Sequence, residues 1–340
     1  MSAALSVLGI GLVTSVGLSA PATCAAMRAK ISNPSVTRFA DRGGEWMAVH
    51  AVALDPPRHG LNLLVQMAAM AIEEALAEVP RSDWAALPVL LCVAERDRPG
   101  RLDELEKGLF AGVENALQVR FAPSSLIVPH GRVSAAVALS KARELLHEQG
   151  CRYVLIAASD SLLDWQTLSG YDAEQRLLTS VNSDGFMPGE GAGAVLVGLG
   201  ALPQRLVCQG IGFGVERAHL RSDEPLRADG LTAAIRMALA DAGCELHDLH
   251  YRIADVSGEQ YYFKEASLAL SRTLRRVMPD FDLWNPAECT GELGAVAGLS
   301  VLACAEAASR KGYGKGPALL AHLANDAGQR AALALMFGGA

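Results

Sequence analysis

The stretch from Asp184 to Val197 reads DGFMPGEGAGAVLV and decides the fold. Its glycines permit positive backbone dihedral angles and close approach of neighbouring chain segments. The apolar run that follows predicts a buried strand. Glu190 stands among small residues, so we expect its carboxyl group to be buried and paired. A phosphate-binding loop does not fit, because the spacing is not GxxxxGK[ST] and no helix follows.

The same arrangement of strands and helices occurs twice along the chain. Residues 5–13 (LSVLGIGLV) and 206–214 (LVCQGIGFG) are apolar runs interrupted by glycine. Each run is followed by a long helical pattern, at 61–79 in the first half and at 230–243 in the second. Further helical patterns and near-continuous apolar strands then alternate in both halves. This alternation predicts α/β sheets that are buried on both faces.

Two copies of one unit predict a molecule with an approximate twofold axis. We place the two halves at residues 1–204 and 205–340. The alternative is a pair of unrelated α/β domains that share only the generic alternation of strands and helices.

The composition excludes several classes of protein. With 340 residues, of which 51% are hydrophobic, the chain can bury a substantial core and is not a disordered protein. The balance of 30 Lys and Arg against 37 Asp and Glu gives no electrostatic basis for binding nucleic acid. No uninterrupted run of 18 apolar residues occurs, so we expect no membrane span.

The seven cysteines include no CxxC pair, and their spacing fits no zinc template. We therefore expect reduced thiols, a cytoplasmic protein, and neither a metal ion nor a cofactor. His247 and His250 lie three residues apart, but no third ligand follows at a suitable spacing.

The segment 184–197 resembles the DGFVxGEGAG signature of β-ketoacyl-ACP synthases. The matching residues are Asp184, Gly185, Phe186, Gly189, Glu190, Gly191 and Gly193. Residues 7–17 (VLGIGLVTSVG) are similar to the opening strand and loop of that family, and residues 290–298 (TGELGAVAG) to its TGHxxGAAG segment. The resemblance implies a thiolase-like fold, in which two βαβαβαββ halves form a five-layer α-β-α-β-α sandwich. It also implies assembly as a dimer.

The resemblance further implies a cysteine nucleophile at the start of a buried helix, where the helix dipole lowers the thiol pKa. Counting back from Gly150 places that position at Val133, which carries no nucleophilic atom. The neighbouring hydroxyl of Ser134 has no evident base, and a serine without a base is inert near neutral pH. His130 lies close by, but a loop position is expected for it.

The remaining catalytic positions of the family are also replaced. The two histidine positions read Ser257 and Glu292, and the supporting lysine position reads Ala287. The loop that supplies the oxyanion hole and a gating phenylalanine is similar to residues 325–330 only at one glycine, and Asp326 stands in place of the phenylalanine. Because such groups act as a unit, we predict that condensation by the usual route is absent.

The replacement residues could form a new polar site from Ser257, Glu292, Asp326 and Arg330, with Cys289 as a further candidate nucleophile. The alternative is that Glu292 stabilises a helix start by its charge, while an Asp326–Arg330 salt bridge fills a disused tunnel. The charged run at 95–98 (ERDR) is interpreted as a solvated loop, and residues 31–60 as an irregular flap.

Three functional hypotheses follow. The first is a pseudoenzyme of fatty acid or polyketide biosynthesis, acting as a chain-length-factor-like subunit or adaptor, either as a homodimer or as a heterodimer with a ketosynthase-like protein. The second is an acyltransferase or thioester hydrolase with replaced active-site residues. The third, a standard 3-oxoacyl-ACP synthase, requires that our register be wrong. Docking of an acyl carrier protein would need a basic patch such as Arg272, Arg275 and Arg276, for which the alternative is a solvated helix face.

Overall fold

The computed structural model describes residues 3–338 of the chain. The first half runs β1 (Leu5–Val13), α1 (Ala20–Arg28), β2 (Ser35–Ala40), β3 (Trp46–Val49), α2 (Gly60–Ala75), β4 (Val89–Cys92), α3 (Leu105–Leu117), β5 (Leu126–Val128), α4 (Ser134–Glu148), β6 (Val154–Ser161), α5 (Trp165–Ala173) and β7 (Glu190–Leu199). The second half runs β8 (Leu206–Val215), α6 (Asp229–Ala242), β9 (Tyr251–Ala254), α7 (Gln260–Thr273), β10 (Leu283–Trp284), α8 (Ala287–Thr290), α9 (Ala297–Arg310), β11 (Ala318–Ala324) and β12 (Gln329–Phe337). Apart from α1, the β2–β3 hairpin, α5 and α8, both halves have the predicted βαβαβαββ order.

The large sheet repeats one strand order on either side of its centre. Its full order is β10-β9-β11-β12-β8-β1-β7-β6-β4-β5, so each half reads the same way from β8 or from β1 outward. The halves join through β1 and β8, which pair only at Leu5–Cys208 and Ser6–Val207. Because this junction is short, the two half-sheets can diverge and enclose helices between them.

The helices form three layers around the two half-sheets. Helices α4 and α9 share one apolar core with strands from both halves and therefore lie between them. Helices α2 and α3 pack on the other face of the first half-sheet, and α6 and α7 on the other face of the second. The five-layer α-β-α-β-α architecture predicted from the sequence is confirmed.

Glycines in the two central strands bring a helix unusually close to the sheet. A Cβ atom at Gly11 of β1 would lie 1.9 Å from the carbonyl oxygen of Ala71 in α2. In the second half, a Cβ atom at Gly212 of β8 would lie 2.0 Å from the carbonyl oxygen of Ala234 in α6. The repeated glycine pattern of the sequence thus has one physical cause, which is the packing of a helix directly on the central strand of each half.

The glycine-rich segment contacts both halves of the molecule. Glu190 is buried, and its carboxylate accepts hydrogen bonds from the backbone N–H of Val52 (2.9 Å) and from the hydroxyl of Ser161 (2.7 Å), as the sequence predicts. A Cβ atom at Gly189 would lie 2.5 Å from the carbonyl oxygen of Thr290, and one at Gly193 would lie 3.0 Å from Leu299. Larger side chains at these glycines would therefore push the halves apart.

The remaining signature residues pack and hydrogen-bond the glycine-rich segment against its neighbours. Phe186 is buried and packs edge-on against Tyr171, with ring centroids 5.1 Å apart. The Asp184 carboxylate accepts a hydrogen bond from the backbone N–H of Gln260 at the start of α7 (2.7 Å). A Cβ atom at Gly185 would lie 2.5 Å from the backbone of Leu177, and one at Gly191 would lie 2.6 Å from the backbone of Val13.

Some boundaries and segments differ from the sequence-based expectation. Residues 31–60 were expected to be irregular, but they contain the β2–β3 hairpin. Within residues 3–338, no helix is both long and apolar enough to cross a membrane. Residues 204 and 205 lie in the link between β7 and β8, and the division into separate domains at that point stays a prediction.

Candidate functional site

The two central helices begin at the same place in the fold, each after a tight turn that contains a glycine. Gly131 precedes α4 and Gly294 precedes α9, with φ angles of +52° and +55°. A Cβ atom at Gly131 would lie 2.0 Å from the carboxyl group of Glu95, and one at Gly294 would lie 2.2 Å from Oδ2 of Asp160. Acidic side chains therefore occupy the space into which a side chain at either turn would project.

Arg132 lies next to the first of these turns and is buried among acidic side chains. Its Nη1 donates to Oε2 of Glu292 (3.2 Å), and its Nη2 donates to Oδ1 of Asp326 (3.2 Å). Its Nε lies 3.9 Å from Oδ2 of Asp255. The guanidinium also stacks 4.3 Å above the ring of Tyr262. One arginine of the first half thus contacts three carboxylates of the second half.

Arg176, in the approach to the glycine-rich segment, makes a second set of ion pairs. Its Nε and Nη2 donate to the two carboxylate oxygens of Glu259, at 2.8 and 2.9 Å. Its Nη1 donates to Oδ2 of Asp326 (2.5 Å), and Oδ1 of that carboxylate also accepts a hydrogen bond from the hydroxyl of Tyr262 (2.6 Å). Asp326 therefore bridges Arg132 and Arg176.

Arg98 makes a third buried ion pair beside these two. Its Nη1 donates to Oδ2 of Asp160 (2.6 Å), and the same oxygen accepts from the backbone N–H of Ala295 (2.8 Å). The Nε of Arg98 is buried without a hydrogen-bond partner in residues 3–338. We call these three arginines and their acidic partners, together with Glu95, Asp255 and Tyr262, the charge cluster.

The interior of the charge cluster leaves almost no free space, although Arg98 also borders a separate cavity of about 530 Å³. The cavity between Arg98, Arg132, Arg176, Glu292 and Asp326 has a volume of about 20 Å³, and a neighbouring one behind Glu292 has about 10 Å³. Such volumes hold about one water molecule each. The residues that line these cavities include no cysteine and no histidine.

The acidic groups of the cluster differ in how strongly their charge is stabilised. Although burial opposes it, Arg132 and Arg176 hold the pKa of Asp326 well below its usual range. Burial raises the pKa of Asp255 to about 7, against the influence of Arg132. Burial likewise raises the pKa of Glu95 to about 7, against the influence of Arg98. A proton can therefore be held within the cluster near neutral pH.

Val133 and Ser134, the two candidates for the nucleophile position, lie in different surroundings. Val133 is buried in the apolar core, and it is Gly131 whose Cβ direction points into the cluster. The hydroxyl of Ser134 donates to the carbonyl oxygen of Val128 (2.9 Å) and accepts from the backbone N–H of His130 (3.0 Å). Ser134 therefore holds the turn before α4 in place.

Two of the other predicted residues meet in the cluster. The hydroxyl of Ser257 donates to Oε2 of Glu292 (2.7 Å), and Oε1 of Glu292 accepts from the backbone N–H of Gly294 (2.9 Å). Glu292 thus caps the turn before α9, as the alternative interpretation of its charge predicts. Ala287 lines only the smaller cavity, and Cys289 lines a separate cavity that does not include the charge cluster.

Two expectations for charged residues were wrong. Arg330 does not pair with Asp326, because its Nε donates to both carboxylate oxygens of Glu265, at 2.8 and 2.9 Å. The run at 95–98 is not wholly solvated, since Arg98 is buried in the charge cluster and Glu95 reaches Gly131. The sequence did contain a signal for this. The run directly follows the buried strand β4, and side chains in such a loop can point inward.

No group of three or more His, Cys, Asp or Glu side chains in the described part of the chain is placed to hold a metal ion.

Comparison with known proteins identifies the class of this fold. A family model, the N-terminal domain of β-ketoacyl synthases, matches residues 131–199. The ishigamide ketosynthase/chain length factor superimposes with a TM-score of 0.82 at 17% sequence identity, covering 100% of both chains. The type II polyketide synthase complex AntDE:AntF, of an acyl-carrier protein with its ketosynthase, gives a TM-score of 0.82 at 17% identity and covers 99% of this chain and 100% of that chain.

A third solved structure, the ketosynthase ApeO in complex with its chain length factor ApeC from Xenorhabdus doucetiae, has a TM-score of 0.76 at 13% identity, with 99% and 98% of the two chains covered. No curated protein matches this chain in sequence. The thiolase-like fold is thus confirmed, as is the resemblance of residues 131–199 to β-ketoacyl synthases.

Proposed function

We propose that this chain is a non-condensing subunit of the ketosynthase type, which assembles with an active ketosynthase-like protein in the manner of a chain length factor. The observation that carries the proposal is the Arg132–Glu292 ion pair at the start of the two central helices. Condensation needs a thiolate and two imidazoles at this place. Here the space holds a guanidinium and a carboxylate instead.

The chemistry of the cluster supports a structural role. A guanidinium stays protonated in proteins and cannot serve as a general base. The carboxylates of Glu259, Glu292 and Asp326 already accept hydrogen bonds from arginines, and the cavity of about 20 Å³ inside the cluster is too small for an acyl thioester. We therefore infer that the chain contributes a surface to an assembly and does not turn over substrate.

The proposed partner follows from the matched structures, which include ketosynthase–chain length factor pairs and a complex with an acyl-carrier protein. We propose a heterodimer with a ketosynthase-like protein in fatty acid or polyketide biosynthesis, with a homodimer as the alternative. Docking of an acyl carrier protein to this chain is less well supported, since Arg272 of the candidate basic patch is already paired with Asp229 (2.6 Å).

The unpaired cysteines fit the reducing cytoplasm, where we place this function.

Co-purification from the native host tests the partner proposal. We expect a tagged full-length chain to recover a ketosynthase-like protein that carries the Cys-His-His residues, in equal amount. The partner should form a defined acyl product only when this chain is present. Recovery of the chain alone, as a homodimer, would contradict the proposal. Lys141→Ala, which removes an exposed ion pair with Glu144 on α4, is a control for tag and surface effects.

The Ser257–Glu292 hydrogen bond favours a second candidate, an acyltransferase or thioester hydrolase of the 3-oxoacyl-ACP synthase type. A serine that donates to a carboxylate could attack an acyl thioester if that carboxylate took its proton; the new ester bond forms as the C–S bond breaks, and the leaving thiolate takes up the proton. Mass spectrometry after incubation with an acyl thioester tests this idea directly. An adduct on Ser257 that disappears in Glu292→Gln would support the enzyme. The absence of any adduct, with hydrolysis indifferent to Glu292→Gln, would exclude it.

A further inference from the structure

The outer face of the second half carries basic side chains, although the whole protein is acidic. The chain has a formal net charge of −7. Helices α6 and α7 pack against the second half-sheet through their buried sides, so their other sides face solvent. We define the basic face as the exposed or partly exposed cations of these two helices and of the segment 274–277 that follows them: Arg236, Lys264, Arg272, Arg275 and Arg276.

Two contacts join the helices at the basic face. Nη2 of Arg236 on α6 donates to the carbonyl oxygen of Arg272 on α7 (3.0 Å). Nη1 of Arg272 in turn lies 2.6 Å from Oδ1 of Asp229, the first residue of α6. Cations from separate parts of the chain are therefore held on one surface.

Few carboxylates oppose this positive charge. In α6, α7 and the segment 274–277, the only exposed acidic residue is Asp229. The other two carboxylates do not lie on the surface in the same way, since Glu265 is buried and Asp241 is partly buried. Asp280, the next acidic residue along the chain, is exposed and offsets one further cation. The basic face thus keeps an excess of positive charge.

The end of the basic face combines free cations with an apolar side chain. The side chains of Lys264, Arg275 and Arg276 are exposed and form no ion pair or hydrogen bond with a residue in 3–338. Val277 follows directly and is 96% exposed. No residue of α6 or α7 lines the cavities of about 360, 490 and 530 Å³ found elsewhere in these residues. The basic face is therefore an open surface and not a recess for a small ligand.

These features fit the surface of an anionic membrane. Cations that no neighbour holds in place can follow a surface that is negative throughout, because they need no opposing charges at fixed positions. An almost fully exposed aliphatic side chain beside them can enter the boundary between lipid headgroups and acyl chains. An acidic protein would satisfy the cations but gives no reason for the exposure of Val277.

We propose that the basic face docks on a membrane that contains anionic phospholipids. Lys264, Arg275 and Arg276 lie against the lipid phosphates, and Val277 enters the headgroup region. The inference is independent of the proposed partner function, since no residue of the charge cluster takes part in it.

Sedimentation of the full-length chain with phospholipid vesicles tests the proposal. We expect binding to vesicles made of equal parts phosphatidylcholine and phosphatidylglycerol, and none to vesicles of phosphatidylcholine alone. Each cation at an anionic surface contributes about fivefold to the affinity, so Arg275→Gln/Arg276→Gln should weaken binding roughly 25-fold. Added salt should weaken binding of the wild type by screening. Val277→Ser should also weaken binding, but with the salt dependence unchanged, because it removes no charge.

The matched control is Arg38→Gln/Arg58→Gln, which removes the same charge from exposed positions in the first half. This variant should bind vesicles nearly as well as the wild type. Both double variants should keep the wild-type circular dichroism spectrum and unfolding midpoint, because all four arginines are exposed.

Three results would overturn the proposal. The wild type could fail to bind the phosphatidylglycerol vesicles, it could bind both kinds of vesicle equally, or the two double variants could bind alike. If Arg275→Gln/Arg276→Gln abolishes recovery of an acidic protein from the native host while the wild type does not bind vesicles, the basic face docks a protein and the membrane proposal is wrong.

Discussion

Arg176 and Glu259 form a two-pronged ion pair across the two halves of the molecule, with N–O distances of 2.8 and 2.9 Å. Arg176 follows α5 in the first half, and Glu259 immediately precedes α7 in the second. Both side chains are buried, at 7% and 6% exposure. A buried, bidentate pair of this kind fixes the relative position of the segments that carry it, because either charge alone would be strongly unfavourable there.

We expect Arg176→Met to lower the free energy of unfolding by about 3–5 kcal/mol, since Glu259 would be left buried without its partner. Urea denaturation measures this change. The double variant Arg176→Met/Glu259→Leu should be more stable than the single variant, because no unpaired charge remains. The exposed Lys141–Glu144 pair is the control, and Lys141→Ala should cost less than about 1 kcal/mol. A similar loss for Arg176→Met and Lys141→Ala would contradict the assigned role of the buried pair.

Asp255 makes stability depend on pH in an unusual direction. Its pKa is raised by burial to about 7 from an ordinary 3.8, so the folded protein keeps a proton that the unfolded chain releases. The contribution of this group is therefore fully present below pH 3.8 and decreases as the pH rises toward 7. We expect Asp255→Asn to remove a decrease of about 4 kcal/mol between pH 4 and pH 8.

Chemical denaturation at a series of pH values measures this effect. Asp326 behaves in the opposite way, because arginines lower its pKa against burial and its contribution is lost as the pH falls through the acid range. Asp326→Asn should therefore flatten the acid side of the profile and leave the neutral side unchanged. Parallel pH profiles for wild type and Asp255→Asn would show that Asp255 ionises normally in the folded protein.

Gly131→Ala should be destabilising for two separable reasons. Its φ of +52° costs a side-chain-bearing residue about 1–2 kcal/mol, and its Cβ atom would collide with Glu95. Gly150 is a matched control, since its φ is +66° and nothing lies within 4 Å of a Cβ atom there. Gly150→Ala should show only the backbone cost. The addition of Glu95→Ala to Gly131→Ala should bring the loss in unfolding free energy down toward that of Gly150→Ala, which urea titration would reveal.

The cysteines should be poor nucleophiles in the folded protein. Burial raises the pKa of Cys289 above its usual value and that of Cys304 to about 12. Cys151 and Cys244 are partly exposed. We expect iodoacetamide at neutral pH to modify Cys151 first, and to reach Cys289 and Cys304 only after unfolding in urea, as peptide mass spectrometry would show. Rapid modification of Cys289 in the native state would favour a catalytic thiol.

Much of the architecture was predictable because its causes are local in the chain. Each of three signals depends on residues that are close together in the sequence: the paired glycine-containing strands, the helical patterns, and the signature from Asp184 to Gly193. Together they led correctly to two similar halves and a five-layer sandwich. The sequence alone also shows that position 133 has no thiol and that positions 257 and 292 have no imidazole, because each statement concerns one residue (Val133, Ser257 and Glu292). The burial and pairing of Glu190 followed from the small residues around it.

The identity of the charge cluster depended on contacts between distant parts of the chain. Arg132 meets Glu292 and Asp326 across 160 and 194 residues, and Arg176 meets Glu259 across 83 residues. No local pattern distinguishes a buried arginine from a solvated one, because burial depends on which segments the fold brings together. For the same reason, the partner of Arg330 proved to be Glu265 instead of Asp326. The chain sequence thus specifies the fold and which side chains stand at positions 133, 257 and 292, whereas the long-range packing of the two halves specifies which charges meet there.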